Sequence, residues 1–393
     1  MSRSTIAVVL ATTLALAACS TDRGAGLAVT RPSAATVPAS PAPAATVPAS
    51  TVPVTGYTSA TADVEVDGPA FDDVERRITE RVTAAGLPGA SLLVVQHGVL
   101  VEQEAWLGYD LDTVVPIASA SKWLTAATIM TLVDDGLIEL DAPISTYVPE
   151  LVGRVGTITM RQLLSFTSGL VDDDRLACHE DASVTLYDCA VDVVRHGVVH
   201  APGEAFRYGS EHMLVAGAIA ELVTGQSFQT LFRERIAEPL HMDHTWFTQV
   251  GDPNRPMDEV DHPMPAGSAV STLGDYARFV EMIAHDGMAP DGRRILTTDT
   301  IAEMQHDQIA DARYAFAARF RMQAKTPYGL GEWLDEVDAD GDAIVVSSDG
   351  AFGFRPWIDT RNDLFGVYLV DDRDRGGGAS GPWVLDRVAG ALS

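Results

Sequence analysis

The first predicted element is a helix, because its apolar residues recur every three or four positions along the chain. The recurring positions are Phe71, Val74, Ile78 and Val82. They predict an amphipathic helix over residues 70–85. Gly86 and the Pro88-Gly89 pair follow, and both residue types disfavour continuation of a helix.

Short apolar runs between turn residues come next, and they are typical of β-strands. Two of them flank His97-Gly98 and predict a hairpin. The predicted strands are 90–96, 99–107, 343–348, 354–359 and 365–370, and further helices are predicted at 213–223, 275–283 and 382–392. This order predicts an α/β (α+β) fold, with a mostly antiparallel sheet flanked by helices and an all-helical lobe.

The first 18 residues have the pattern of a signal peptide. Arg3 supplies a positive start, and the apolar run from Ile6 to Ala18 is short for a membrane span. The run ends Leu16-Ala17-Ala18-Cys19, which resembles a bacterial lipobox and implies lipidation of Cys19. The alternative is a plain signal peptide followed by a chance cysteine. Either reading predicts an extracytoplasmic protein, and lipidation would anchor it to a bacterial cell membrane.

Residues 19–67 are a predicted Pro/Ala-rich tether. The sequence Ala-Ala-Thr-Val-Pro-Ala-Ser occurs at 34–40 and again at 44–50. Its prolines favour extended backbone, and the segment has no aromatic residue before Tyr57 with which to build a core. We therefore expect residues 68–393 to form the folded part, as one large domain or two closely packed subdomains.

The formal net charge of −28 argues against a nucleic-acid partner, whose phosphates would be repelled. No motif points to a metal or an organic cofactor. The expected partner is a small-molecule ester, an amide or a cell-wall peptide, and membrane contact is expected only through an N-terminal lipid.

Ser119 and Lys122 are the candidate nucleophile and base. They lie three residues apart at the predicted start of an apolar helix, so their side chains share one face. The chain has only two lysines, Lys122 and Lys325, among its 27 basic residues. Arginine cannot give up its proton in a protein, whereas a suitably placed lysine can act as a base. The alternative is that Lys122 is an ordinary solvated helix lysine.

Two further features have open interpretations. Cys178 and Cys189 lie in a polar stretch and are expected to form a disulfide in an oxidising compartment. Metal binding together with His179 is the competing reading, although three such ligands do not complete a tetrahedral site. Tyr208 precedes a predicted helix, and it is either a buried core ring or a proton relay beside the Ser-Lys pair.

These motifs in this order resemble the serine β-lactamase and penicillin-binding family. Within it the chain is most similar to the branch of class C β-lactamases, D-Ala-D-Ala carboxypeptidases and family VIII-type esterases. The resemblance covers residues from about 70 to the C-terminus. The motifs that carry it are Ser119-Ala120-Ser121-Lys122, Leu163 to Leu170, Phe206-Arg207-Tyr208, Tyr328-Gly329-Leu330-Gly331 and Trp357-Ile358-Asp359.

The resemblance implies a β-lactamase/transpeptidase-like fold and assigns roles to residues of the site. Ser119 would be acylated, and Lys122 with Tyr208 would relay protons. The backbone N–H groups of Ser119 and Ala351 would form the oxyanion hole, which can lower a barrier by about 3 kcal/mol.

Two motifs depart from the family pattern. The family has Tyr-x-Asn where this chain has Tyr208-Gly209-Ser210. It has a cation, any residue and glycine where this chain has Ser348-Asp349-Gly350. We therefore expect Ser210, Ser348 and Gly350 to contact substrate without a cation. Arg355 is the nearby replacement, but strand alternation directs it away from Ser348 unless a bulge intervenes.

The expected function is therefore that of a serine hydrolase that cleaves an ester or amide through an acyl-enzyme at Ser119. Two alternatives remain open. One is a catalytically impaired binding or regulatory protein at the cell wall. The other is a D-Ala-D-Ala carboxypeptidase or β-lactamase.

Overall fold

The computed structural model describes residues 58–59, 69–171, 178, 184–249, 263–316, 325–373 and 383–392. Its helices are α1 (Pro69–Ala85), α2 (Ser121–Asp134), α3 (Gly153–Gly156), α4 (Met160–Leu164), α5 (Leu186–Arg195), α6 (Glu211–Thr224), α7 (Phe228–Phe232), α8 (Leu273–Ala284), α9 (Thr298–Met304) and α10 (Trp383–Ala391). Its strands are β1 (Thr58–Ser59), β2 (Gly89–Gln96), β3 (Val99–Leu107), β4 (Val115–Pro116), β5 (Ala205–Arg207), β6 (Trp246–Phe247), β7 (Ala269–Ser271), β8 (Arg313–Phe316), β9 (Trp333–Val337), β10 (Ala343–Ser347), β11 (Arg355–Asp359) and β12 (Leu364–Leu369).

The large sheet has the strand order β1-β3-β2-β12-β11-β10-β9. Its neighbouring strands are antiparallel, except that the two-residue β1 runs parallel to β3. The predicted fold class is thereby confirmed. The hairpin between β2 and β3 is also confirmed, since His97 and Gly98 both have positive φ, at 51° and 71°.

One face of the sheet is covered by α1 and α10. The helical face predicted from sequence is buried there, because Val74, Ile78 and Val82 are at most 1% exposed. They pack in one cluster with residues of β2, β11 and β12, including Trp357 and Tyr368.

The opposite face is covered by α8, which packs on β2, β11 and β12. Seven of the eight residues of β2 are buried, so both of its faces are covered. Beyond α8 lies the helical lobe, in which α6 contacts α2, α4, α5 and α7. Twelve of the 14 residues of α2 are buried, as expected for a helix surrounded by protein on all sides.

Two smaller sheets were not predicted from the sequence. One has the order β4-β7-β6, and the other pairs β5 with β8. Their strands have two to four residues each, which is too short for a period of two to be recognised. They nevertheless bracket the site, because β4 leads into the Ser119 turn and β5 leads into Tyr208.

The N-terminal predictions lie almost wholly outside the described residues. This holds for the signal peptide, for Cys19 and for the tether except Thr58–Ser59, which pair with Val99 and Leu100. Among the residues that the structure describes, no helix is both long and apolar enough to cross a membrane.

Candidate active site

Ser119 lies in a single 3-10 turn, Ala118–Ala120, that runs directly into α2. The serine is partly exposed, whereas Lys122, on the first turn of α2, is 3% exposed. The lysine Nζ donates a hydrogen bond to Ser119 Oγ at 3.2 Å and another to the carbonyl oxygen of Ala266 at 2.6 Å. The two side chains thus have the contact that a nucleophile and its base require, and Lys122 is not a solvated surface lysine.

The turn before Ser119 has an unusual backbone. Ala118 has a φ of +46°, a region that non-glycine residues seldom occupy and that is enriched at functional sites. The hydroxyl of Ser121 donates to Ala118 O at 2.6 Å and accepts from Ala269 N at 3.0 Å. The hydroxyl of Tyr276 donates to Ala120 O at 2.8 Å. These side chains hold the turn to β7 and α8, and the motif analysis did not assign either of them a role.

Tyr208 is buried and follows β5 directly. Its ring stacks on Trp333 at 5.2 Å between centroids and meets Phe166 edge-on at 4.8 Å. Lys122 Nζ lies 4.8 Å from the centroid of the Tyr208 ring. The structure therefore brings the three predicted catalytic residues together, and the relay role of Tyr208 stays a prediction.

The loop between β10 and β11 approaches the nucleophile turn at Gly350. A Cβ at this position would lie 2.3 Å from the carbonyl oxygen of Ile117, so only glycine allows the approach. Ile117 lies two residues before Ser119. The loop closes on itself, since Gly350 N donates to Phe354 O at 2.8 Å. Ala351 follows and is exposed, and its role in an oxyanion hole with Ser119 N–H stays a prediction.

Ser348 is buried, immediately after β10, and Ser210 is half-buried at the start of α6. Arg355 begins β11, and its guanidinium is paired within the protein. Its Nη1 lies 3.0 Å from Asp349 Oδ1, and its Nη2 lies 3.8 Å from Asp335 Oδ2. The substrate-binding roles of Ser210, Ser348 and Arg355 stay predictions, and these ion pairs argue against the role of Arg355.

A buried acid that the sequence analysis missed lies close to the site. Glu332 is 0% exposed, and neither of its carboxyl oxygens has a hydrogen-bond partner among the described residues. The preceding Gly331 packs against α2, where a Cβ would lie 2.9 Å from Lys122 O. Burial raises the pKa of the Glu332 carboxyl well above its usual range. No periodic signal could have found it, since Glu332 sits between turn glycines and a strand.

Cys178 and Cys189 are joined, with their Cα atoms 5.4 Å apart. Cys189 lies on α5 and is fully buried. His179, the competing metal ligand, lies outside the described residues. Within the part of the chain that the structure describes, no cluster of three or more metal-ligating side chains occurs.

An antiparallel sheet between helices, with a Ser-x-x-Lys pair at the start of a buried helix, defines the β-lactamase and penicillin-binding fold. A family model described as Beta-lactamase matches residues 74–391. The chain therefore belongs to the Beta-lactamase family, whose members include penicillin-binding proteins and esterases.

The chain is similar to several solved structures. A candidate β-lactamase from Bacteroides dorei is 32% identical with a TM-score of 0.73, over 82% of this chain and 98% of that one. A family VIII carboxylesterase is 19% identical with a TM-score of 0.63, over 83% of this chain and 98% of that one, and shares the fold.

Two curated relatives extend the comparison. Penicillin-binding protein 4 of Amycolatopsis lactamdurans is 30% identical over 57% of this chain and 66% of that protein. Protein flp of Staphylococcus aureus is 33% identical over 42% of this chain and 35% of that protein. The chain thus matches only about a third of the length of protein flp.

Proposed function

We propose that this chain is a secreted, lipid-anchored serine hydrolase that cleaves neutral esters or amides by acyl transfer. The observation that carries the proposal is the 3.2 Å contact between Lys122 Nζ and Ser119 Oγ at the start of a buried helix. The positive end of the helix dipole favours a developing oxyanion there.

The reaction would proceed in two steps. Ser119 Oγ attacks the substrate carbonyl carbon while its proton passes to Lys122. The tetrahedral intermediate then collapses, the alcohol or amine leaves with a proton relayed through Lys122 and Tyr208, and Ser119 remains acylated. Water, deprotonated by the same relay, attacks the acyl carbon. The second tetrahedral intermediate then expels Ser119 Oγ, which takes that proton back from the relay as the acid is released. Backbone N–H groups of Ser119 and Ala351 would stabilise both oxyanions.

The preference for a neutral substrate is supported by Ser348. A serine hydroxyl offers one hydrogen bond but no positive charge against a substrate carboxylate. The nearby guanidinium of Arg355 is already paired with Asp349 and Asp335. A hydrogen bond to a charged group contributes about 1.5–3 kcal/mol, so its absence should weaken the binding of a carboxylate substrate by roughly ten- to a hundredfold.

A second candidate is a penicillin-binding carboxypeptidase or β-lactamase. It is supported by the 30% identity to penicillin-binding protein 4 and by the Bacteroides dorei structure. A protein that keeps the fold without turnover is the remaining alternative, and it would not be labelled at Ser119.

The test has two stages. A fluorophosphonate probe followed by mass mapping should modify Ser119, whereas no modification would favour the binding-protein alternative. The values of kcat/KM for p-nitrophenyl butyrate, a D-Ala-D-Ala peptide and a chromogenic cephalosporin are then compared in wild type and in Ser348→Lys. We expect wild type to have its highest kcat/KM for the ester. We expect Ser348→Lys to have a higher kcat/KM for the peptide than wild type has. Efficient peptide cleavage by a wild type that ignores the ester would refute the proposal.

A further inference from the structure

Arg355 lies at the centre of a buried cluster of charged side chains behind the candidate site. Its side chain is 10% exposed, and the two carboxylates that it contacts, Asp349 and Asp335, are 8% and 17% exposed. Asp335 Oδ2 also accepts a hydrogen bond from Ser347 Oγ at 2.6 Å. Removing one member of such a buried pair is costly, because it leaves the other charge uncompensated.

Strand register shows which face the cluster occupies. Arg355 lies opposite Tyr368, and Ser347 lies opposite Trp357. Residues directly opposite each other project to the same face, and both aromatic rings belong to the core under α1 and α10. Ser348 is the next residue after Ser347, so its side chain projects to the other face. Arg355 therefore acts from behind the strand that carries Ser348.

The cluster ties down the loop that approaches the nucleophile. Asp349 immediately precedes Gly350, the residue packed against Ile117 O, and Ala351 follows. The loop contacts the turn before Ser119 through Gly350, and it contacts Arg355 through Asp349. Arg355 thereby links this loop to Asp335 on β9, the neighbouring strand at the sheet edge.

We infer that Arg355 is a positioning residue: its ion pairs with Asp349 and Asp335 fix the loop that presents the Ala351 N–H to the substrate oxyanion. This inference rests on the proposed function. It gives Arg355 a role other than binding a substrate carboxylate.

The test uses Arg355→Met, which keeps much of the side-chain volume but not the charge, and Arg355→Lys, which keeps the charge. Arg361→Met is the matched control, because Arg361, in the turn after β11, pairs with Glu336 of β9 at the protein surface. The measurements are kcat and KM for p-nitrophenyl butyrate and the Kd of n-butylboronic acid. Boronic acids form a tetrahedral adduct with a nucleophilic serine, and one of its oxygens occupies the oxyanion hole.

We expect Arg355→Met to lower kcat by about tenfold or more, since displacing an oxyanion donor weakens the transition state more than the substrate complex. KM should stay within about threefold, and boronate affinity should fall in parallel with kcat/KM. Arg355→Lys should recover part of the lost kcat and part of the lost boronate affinity. Arg361→Met should have the kcat and boronate affinity of wild type.

A folded Arg355→Met with unchanged kcat and boronate affinity would overturn the inference, as would an equal loss in Arg361→Met. If Arg355→Met does not fold, Asp349→Asn decides by the same two readouts. A wild type that neither hydrolyses the ester nor reacts with the fluorophosphonate would refute the proposed function itself, and the inference with it.

Discussion

At the scale of single residues, the site depends on side chains that hold the backbone around Ser119. Ser121 and Tyr276 bond to the carbonyl groups of Ala118 and Ala120, on either side of the nucleophile. Lys122 is held by Ala266 O as well as by Ser119. Because both lysine contacts are hydrogen bonds from one buried amine, its orientation is constrained before any substrate arrives.

The first prediction concerns this pair. Ser119→Ala should abolish ester hydrolysis, and Lys122→Arg should nearly do so, because a guanidinium stays protonated and cannot accept the serine proton. The general-base contribution is about 10²- to 10⁴-fold, which sets the expected loss in kcat. Lys325→Arg is the control, since its ammonium lies on the surface and bonds only to Ala310 O among described residues. Near wild-type activity in Lys122→Arg would remove Lys122 from the base role.

The second prediction concerns Glu332 and pH. Burial raises the pKa of this carboxyl in the folded state above the unfolded value of about 4.3. The folded chain therefore retains a proton that the unfolded chain releases, and the free energy of unfolding falls as pH rises between the two pKa values. One proton corresponds to a slope of about 1.4 kcal/mol per pH unit.

Glu332→Gln cannot ionise, so it should gain stability relative to wild type as pH rises from 5 to 8. Urea unfolding at several pH values measures the difference, and Glu150→Gln, at an exposed site, is the control. A difference between Glu332→Gln and wild type that is constant over this range would contradict the prediction.

At the scale of elements, α5 is attached to the rest of the helical lobe in two ways. Its apolar side chains pack on α6, and its buried Cys189 is joined to Cys178. Thr185 caps its first turn by accepting a hydrogen bond from Asp188 N. The disulfide is therefore an additional attachment for a helix that is already capped and packed.

The third prediction follows from this arrangement. Replacing both cysteines by serine should lower the free energy of unfolding by roughly 2–3 kcal/mol, because the disulfide closes a short loop in the unfolded chain. Denaturant unfolding of the exported protein, with and without reductant, measures the loss. The double variant should be insensitive to reductant. Free thiols in a non-reduced peptide map of the wild type would show that the bond does not form.

At the scale of the whole molecule, the two edges of the large sheet are formed by different parts of the chain. The short β1, formed by part of the predicted tether, pairs with β3 at one edge. The strands that carry Ser347 and Asp335, β10 and β9, lie at the other edge. The chain thus enters the sheet at the edge opposite the one that borders the candidate site.

The fourth prediction concerns attachment to the membrane. Cys19 should become the mature N-terminus and carry lipid, because Leu16-Ala17-Ala18-Cys19 resembles a bacterial lipobox and is followed by a Pro/Ala-rich tether. Cys19→Ser should move the protein from the membrane fraction to the medium, and mass analysis of the N-terminus should show loss of the lipid. A serine variant that stays with membranes as wild type does would rule out this anchor.

Local pattern alone determined several features of this protein. Each of these elements is specified by the spacing of apolar residues and by turn residues within its own stretch of sequence. They are the helix α1, the β2–β3 hairpin and the strands of the sheet. The proximity of Ser119 and Lys122 likewise follows from a spacing of three on one helix. The structure bears out these elements because no distant contact was needed to specify them.

Only the tertiary structure decided which partners the other site residues have. The sequence offers Arg355 as a replacement substrate anchor, whereas its pairing with Asp349 and Asp335 is visible only in the structure. The approach of Gly350 to Ile117 joins segments more than two hundred residues apart, and Gly331, next to the buried Glu332, packs against the distant helix α2. Such contacts arise when separate elements pack, and no periodicity within either segment encodes them. The same reason explains why the strands of two to four residues were missed.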